Sequence, residues 1–293
     1  SGPISFMNIY DAICQTISSS GHRRGAQMGV FPIDHPVVEA FINAKTNQNQ
    51  LTGFNVSLAI TDKFMIALEN DEPFPLVFEG KVYKTVNPKD LWDTIMRNTW
   101  DWAEPGVLFI DRINEMNNLK YCETIEATNP CGEQPLPPYG ACLLGSFNLV
   151  KYLKENTDGR NFSMEFDWSE FKEDIPCIVR AMDNVIDSTI YPLEKQESEA
   201  KSKRRMGLGN CGEMLGFPYA SDEFIEFQEK VLETLRDTAY LMSSRLANEK
   251  GCFPMYDKEK YLQSNFVSTL SPNVIEEIKR YGMRNSHLTS IAP

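Results

Sequence analysis

Residues 128–142 read T-N-P-C-G-E-Q-P-L-P-P-Y-G-A-C, which sets an amide, a thiol and a carboxylate at alternate positions, Asn129, Cys131 and Glu133. A second thiol, Cys142, closes the stretch. Pro130 lacks an N–H and disfavours helix for the residue before it, and Gly132 permits a tight backbone turn. The segment is therefore expected to be a stiff loop or irregular finger, with side chains 129, 131 and 133 projecting together if it is extended. A thiol between an amide and a carboxylate suits two chemistries. Nucleophilic catalysis is one, but a cysteine nucleophile calls for a histidine base and none lies near in the sequence. Hydrogen-atom abstraction by a thiyl radical is the other, with Glu133 taking a hydroxyl proton from the substrate and Asn129 holding it. Cys142 is then a separate thiol able to form a disulfide with a further cysteine as electrons are delivered. Composition alone favours a structural turn with two incidental cysteines.

The chain that must position these groups has 293 residues, 42% hydrophobic and 24% charged, enough for a sizeable core. A net charge of −12 argues against a nucleic-acid surface. No apolar run approaches the roughly 18 residues that span a bilayer, and no signal-peptide pattern opens the sequence. Seven scattered cysteines without a C-x-x-C pair, and three histidines, give no zinc-ligand spacing. A reducing, cytoplasmic setting fits best.

Phe6, Ile9, Ile13 and Ile17 recur at helical spacing after Ser5, predicting a capped helix. A-Q-M-G-V-F-P-I predicts a strand, and P-V-V-E-A-F-I-N-A-K a helix with Asp34 or His35 near its cap. The polar loop 46–53 offers only Leu51 to a core. In F-N-V-S-L-A-I-T, Phe54, Val56, Leu58 and Ile60 face one way and Asn55, Ser57 and Ala59 the other. That second face can supply hydrogen bonds to a ligand or simply be half-exposed. Thr61 and Asp62 open a short helix, 71–87 is extended, Pro88 sits near the start of a helix, and G-V-L-F-I-D is a buried strand candidate ending at Asp111. Further helices are predicted at about 167–190, kinked or split by Pro176, at about 222–250, and from Ser271-Pro272 to Gly282. K-E-N-T-D-G-R-N (154–161) reads as a surface turn, and R-N-S-H-L-T-S-I-A-P as a terminal strand. Alternating strands and helices place the chain in the α/β class with substantial parallel pairing.

G-L-G-N-C-G (207–212) matches a dinucleotide fingerprint, but no apolar strand precedes it and no acidic residue closes a second strand at the right distance. Its glycines are read as close packing where a strand turns into a helix. Lys201, Lys203, Arg204 and Arg205 are read as a solvated face. His22, His35 and His287 lack partners at metal-ligand spacing and are read as structural.

N-P-C-G-E-Q-P-L followed by A-C-L-L-G-S-F-N-L resembles the active-site finger of the ribonucleotide reductase catalytic subunit, most closely the adenosylcobalamin-dependent branch. S-G-P-I-S-F-M, G-H-R-R-G-A-Q-M-G with D-H-P, F-N-V-S-L-A-I-T-D-K-F-M, R-R-M-G-L-G-N-C-G and R-N-S-H-L-T-S-I-A-P match in the family's order. The resemblance implies a ten-stranded α/β barrel of two five-stranded parallel halves, with a finger loop (about 128–142) at its centre. It makes residues 1–293 a single catalytic barrel domain, incomplete at both ends.

The resemblance further implies that Cys131 carries the radical, Glu133 deprotonates the ribose 3′-hydroxyl, Asn129 binds the substrate and Cys142 is one of two reducing thiols. Asn129, Pro130, Cys131, Gly132, Glu133, Asn55 and Ser57 are the expected substrate-binding residues, and Asn47, Gln48, Asn49 and Gln50 the expected effector loop. Adenosylcobalamin, or a radical from a separate metal-containing subunit, and a deoxynucleotide effector are the implied cofactors. Expected partners are a ribonucleotide, the missing flanks, a second copy of the chain and a thioredoxin-like reductant. Cys14 does not match the partner of Cys142, which the resemblance places on a missing flank, and with both flanks missing the isolated chain is expected not to turn over. A non-catalytic nucleotide-binding or assembly fragment is the alternative reading, and a cysteine hydrolase a more distant one.

Overall fold

The computed structural model describes residues 2–18, 25–47, 49–157, 162–211 and 217–291. His22, Gln48, Gly212 and half of the expected surface turn, 158–161, lie outside the described residues. The chain forms two compact units, one of residues 1–115 and 124–138, the other of residues 116–123 and 139–293.

In the first unit the order is α1 (Pro3–Ser18), β1 (Gln27–Pro32), α2 (Val38–Ile42), β2 (Phe54–Ile60), α3 (Asp62–Asn70), β3 (Phe74–Phe78), β4 (Lys81–Val86), α4 (Pro88–Trp102), β5 (Gly106–Phe109), α5 (Ile110–Glu115), β6 (Ala127–Thr128) and β7 (Pro135–Leu136). β2 is the centre of a parallel sheet of order β1-β2-β5. Phe54, Val56, Leu58 and Ile60 are buried with Ile33, Phe41, Phe64, Phe74 and Ile95. Ser57 and Ala59 on the opposite face are buried too, so only Asn55 fits the half-exposed reading.

Local signals set the helix starts. Thr61 accepts a hydrogen bond from the Phe64 N–H, and Asn87 from that of Lys89 with Pro88 in the first turn. Three expectations change. α1 begins at Pro3, ahead of Ser5, and its Phe6, Ile9, Ile13 and Ile17 are exposed while Asp11 and Cys14 face inward. The Asp11 carboxylate accepts from the Gly53 N–H at 2.6 Å, so a polar contact fixes the buried face. β5 ends at Phe109, with its residues half-buried or exposed because it lies at the sheet edge, and Ile110 and Asp111 start α5. The helix predicted over 36–45 is the five-residue α2; the His35 ring nitrogen accepts from the Val37 N–H ahead of it.

The second unit contains β8 (Leu143–Asn148), β9 (Leu153–Thr157), β10 (Phe162–Phe166), α6 (Trp168–Ser188), α7 (Glu194–Lys203), β11 (Met206–Cys211), α8 (Asp222–Lys250), α9 (Lys258–Leu262) and α10 (Pro272–Tyr281). β8 and β11 are parallel, and residues 287–290 run beside β11 through bonds such as Leu208 N–H to Leu288 C=O at 2.8 Å. The terminal strand is therefore present as an extended segment bridged to β11. Residues 154–157 of the expected surface turn belong instead to β9, which pairs with β10.

α6 runs unbroken through Pro176. A helix-interior proline costs about 3 kcal/mol, but Phe171 and Ile175 before it and Val179, Met182 and Ile186 after it are buried in the same core. Packing on both sides holds the helix together. Parallel pairing in both units confirms the α/β class. Among the described residues no helix is long and apolar enough to cross a membrane.

Candidate active site

β6 and β7 pair antiparallel, Ala127 with Leu136 and Thr128 with Pro135, so residues 129–134 are the tip of a hairpin. Asn129 closes the tip. Its side-chain oxygen accepts from the Gln134 N–H at 2.9 Å, its own N–H donates to the Gln134 carbonyl, and its carbonyl accepts from the Gly132 N–H at 3.0 Å. Gly132 has φ +86°, a conformation that favours glycine. The tip is thus a closed turn, not the extended strand on which alternate side chains would project together.

Asn55, at the start of β2, donates its side-chain N–H to the Pro130 carbonyl at 2.5 Å. That bond pins the turn to the sheet. Pro130, Cys131 and Gly132 then line a cavity of about 500 Å³ with Asn55, Ser57 and Glu104. Cys131 is exposed, its thiol unoxidised. Glu104 accepts from the Val56 N–H at 2.9 Å and pairs with Lys45, so the acidic group on this wall is neutralised. Gly106 also lines the cavity, and a side chain there would meet the Ser57 hydroxyl at 2.8 Å. Glycine is what lets β5 approach β2 at this point.

Five expected substrate-binding residues, Asn55, Ser57, Pro130, Cys131 and Gly132, meet on this one cavity. Asn129 and Glu133 are half-buried and not among its lining, and Glu133 Oε2 is inaccessible to solvent. Asn47, Asn49 and Gln50 lie on an exposed turn, in which the Asn47 side chain accepts from the Asn49 N–H and Leu51 anchors the end in the core.

Cys142, in the second unit, immediately precedes β8 and lines a cavity of about 180 Å³ with Val185, Ile186, Thr189, Tyr191 and Arg205. The basic cluster here contradicts the solvated-face reading. Lys203, Arg204 and Arg205 are 7%, 3% and 5% exposed, and only Lys201 stays at the surface, paired with Glu197. Arg204 binds Asp183 at 2.6 Å and Asp187 at 2.6 Å, and Lys250 and Arg284 also reach Asp183. Burial pushes the Asp183 carboxyl up, but hydrogen bonding and charge from Arg204, with Lys250 and Arg284, hold it below the usual carboxylate range. Glu123 takes Arg205 and Lys203. Its burial is likewise outweighed, chiefly by the Arg205 charge, so its carboxyl is also depressed.

His287 is structural as expected, in a buried role. Burial first, then the Arg205 and Lys203 charges, hold it neutral, well below the ordinary histidine range. Its Nε2 meets the Asn117 side-chain oxygen at 3.0 Å, which can only accept, so Nδ1 accepts from Arg205 at 3.0 Å. The spacing of Asp183 and Asp187 one helical turn apart was the available signal for this network; nothing marked Glu123.

A hairpin-borne thiol beside a parallel α/β sheet defines a thiol-bearing α/β domain. All of residues 1–293 match the family described as ribonucleotide reductase, barrel domain. The chain is 38% identical, over its whole length, to a vitamin B12-dependent ribonucleoside-diphosphate reductase of Thermoplasma acidophilum, and 35% identical to one of Mycobacterium tuberculosis. A vitamin B12-dependent ribonucleotide reductase of Streptomyces avermitilis is 30% identical over 87% of the chain. The chain belongs to the ribonucleotide reductase barrel-domain family. It spans 36% of the Thermoplasma relative and 40% of the Mycobacterium one.

Proposed function

We propose that this chain is the catalytic core of a ribonucleotide reductase, converting ribonucleotides to 2′-deoxyribonucleotides by thiyl-radical chemistry within a ten-stranded barrel completed by flanking segments. The observation that carries this reading is the fingertip: Cys131 is exposed on a turn pinned by Asn129 and Asn55, beside a cavity lined by Asn55 and Ser57.

Cys131 takes the ribose 3′ hydrogen and later returns one. Glu133 accepts the 3′-hydroxyl proton. Asn129 has its oxygen committed to Gln134, which leaves its amide hydrogens to meet a substrate oxygen. Cys142 and a second thiol supply two electrons; the 2′-hydroxyl leaves as water and the two sulfurs join as a disulfide. Adenosylcobalamin, when bound, would supply the radical that Cys131 carries. The fit to this chain lies in Cys131, whose sulfur is open to an approaching group while the backbone around it is fixed. The relatives' dependence on vitamin B12 supports that cofactor over a separate radical subunit. A thioredoxin-like dithiol would restore the thiols, in a reducing, cytoplasmic setting.

In the full-length reductase, Cys131→Ala should abolish reduction while nucleotide binding, measured by calorimetry, persists. Unchanged turnover would overturn the reading in favour of a non-catalytic assembly segment. Paramagnetic resonance on the intact enzyme with adenosylcobalamin and substrate should show a cobalt-coupled thiyl signal; its absence in an enzyme active with a metal subunit would refute the cofactor assignment.

A further inference from the structure

Arg205 connects the buried ionic cluster to the Cys142 cavity. Its two terminal nitrogens are used: Nη2 donates to Glu123, and Nη1 to the His287 ring at 3.0 Å. His287 is fixed in turn by Asn117, whose amide nitrogen donates to Glu123 at 2.9 Å and so sets the oxygen toward the ring. The guanidinium is therefore held from two sides. Its Nε–H is buried and has no hydrogen-bond partner. Leaving a buried donor unmatched is unfavourable, and that points to a group it meets in another state of the protein.

Arg205 is the one cationic side chain among the described residues lining the cavity that contains Cys142. Much of the rest of that wall is Ala141, Leu143, Val185, Ile186 and Ala200. Apolar walls strengthen the attraction between a cation and any anion formed there. Among the described residues of this wall, the groups able to become anions are the Cys142 thiol and the Tyr191 phenol, and burial pushes the phenol's pKa up.

We propose that Arg205 is the counter-charge for the Cys142 thiolate and makes Cys142 the leaving sulfur when the active-site disulfide is reduced. This rests on the redox role given to Cys142 above. An external dithiol attacks the partner sulfur as thiolate, and the S–S bond breaks with its electron pair on Cys142, beside Arg205. The dithiol's second sulfur then displaces the partner sulfur. Two electrons and two protons pass to the protein thiols, and the reductant becomes a disulfide. A leaving thiol of lower pKa departs faster, so Arg205 sets both the direction and the rate of the exchange.

The test is iodoacetamide labelling of the reduced full-length enzyme from about pH 5 to pH 10, with the Cys142 peptide quantified by mass spectrometry. The Cys142 profile should have its midpoint at least about one unit below the free-cysteine value of about 8.5. Arg205→Met should raise that midpoint so that labelling at pH 7 falls about tenfold, Arg205→Lys should retain most of the shift, and the Cys131 profile should not move. A midpoint at or above the free value in the unmodified enzyme overturns the proposal, whether or not the Arg205→Met protein folds. Cys142→Ser separates two failures. Full turnover by that variant overturns the redox role and the inference together; lost turnover beside an ordinary labelling profile overturns Arg205 alone.

Discussion

The two thiols singled out by the sequence sit in different surroundings. Cys131 is held on a turn by backbone and amide hydrogen bonds, and the acid on its cavity wall, Glu104, is already paired with Lys45. Cys142 shares a small, largely apolar cavity with an arginine that belongs to a buried ionic network. Hydrogen-atom transfer moves no net charge and needs an intact S–H, so a neutral surround suits it. Disulfide exchange runs through the thiolate, so a cation suits it. One protein thus prepares two cysteines for different chemistry without differing in the residue itself.

The comparison breaks most visibly at Cys131. Its replacement by alanine in the full-length enzyme should lower turnover by several orders of magnitude, as loss of a reacting group generally does, and rate assays against the unmodified enzyme decide it. Next in size is the ionic network. Asp183 is fully buried and touches three cations, so Asp183→Asn should cost about 3–5 kcal/mol of stability in urea unfolding. A loss well under 1 kcal/mol would show that the network does not hold the second unit together.

Acid should expose the same difference. His287 is buried neutral with a depressed pKa, so its stabilising contribution is complete above the unfolded value of about 6.5. As pH falls below that value the unfolded chain takes the proton, and stability drops by up to about 1.4 kcal/mol per pH unit. Asp183 and Glu123, also depressed, lose their contributions only lower, as pH falls from the ordinary carboxylate values of about 4 through the folded ones. Urea titrations should show the first slope vanish in His287→Gln while the second remains. The smallest effect is at the fingertip: Asn55→Ala removes one hydrogen bond and should cost about 1 kcal/mol or less. It should still slow turnover severalfold, because the bond places Pro130 and the turn beside the cavity.

Much of the fold was legible because its signals are short-range. Thr61, Asn87 with Pro88, and Ser221 each bond a backbone N–H two or three residues away, so the starts of α3, α4 and α8 are written beside them. The period of two in residues 54–60 places β2 with one side in a core, although the burial of Ser57 and Ala59 on the other side required neighbours that the pattern does not name. The exposed apolar residues of α1 and the unbroken α6 teach the converse. Periodicity marks a helix but not the direction it faces, and a proline's cost is decided by what packs around it.

For the candidate site, residue identities alone fixed a proline- and glycine-bound turn carrying a thiol between an amide and an acid, because the conformational limits of proline and glycine act over one or two residues. The tertiary structure decided that Asn129 closes that turn, that Asn55 fastens it, and that Cys131 opens onto a cavity shared with Asn55 and Ser57. It also decided that Arg204 and Arg205 are buried. Their partners lie 21 and 82 residues away, and Coulomb attraction at such separations exists only once the chain has brought the groups together.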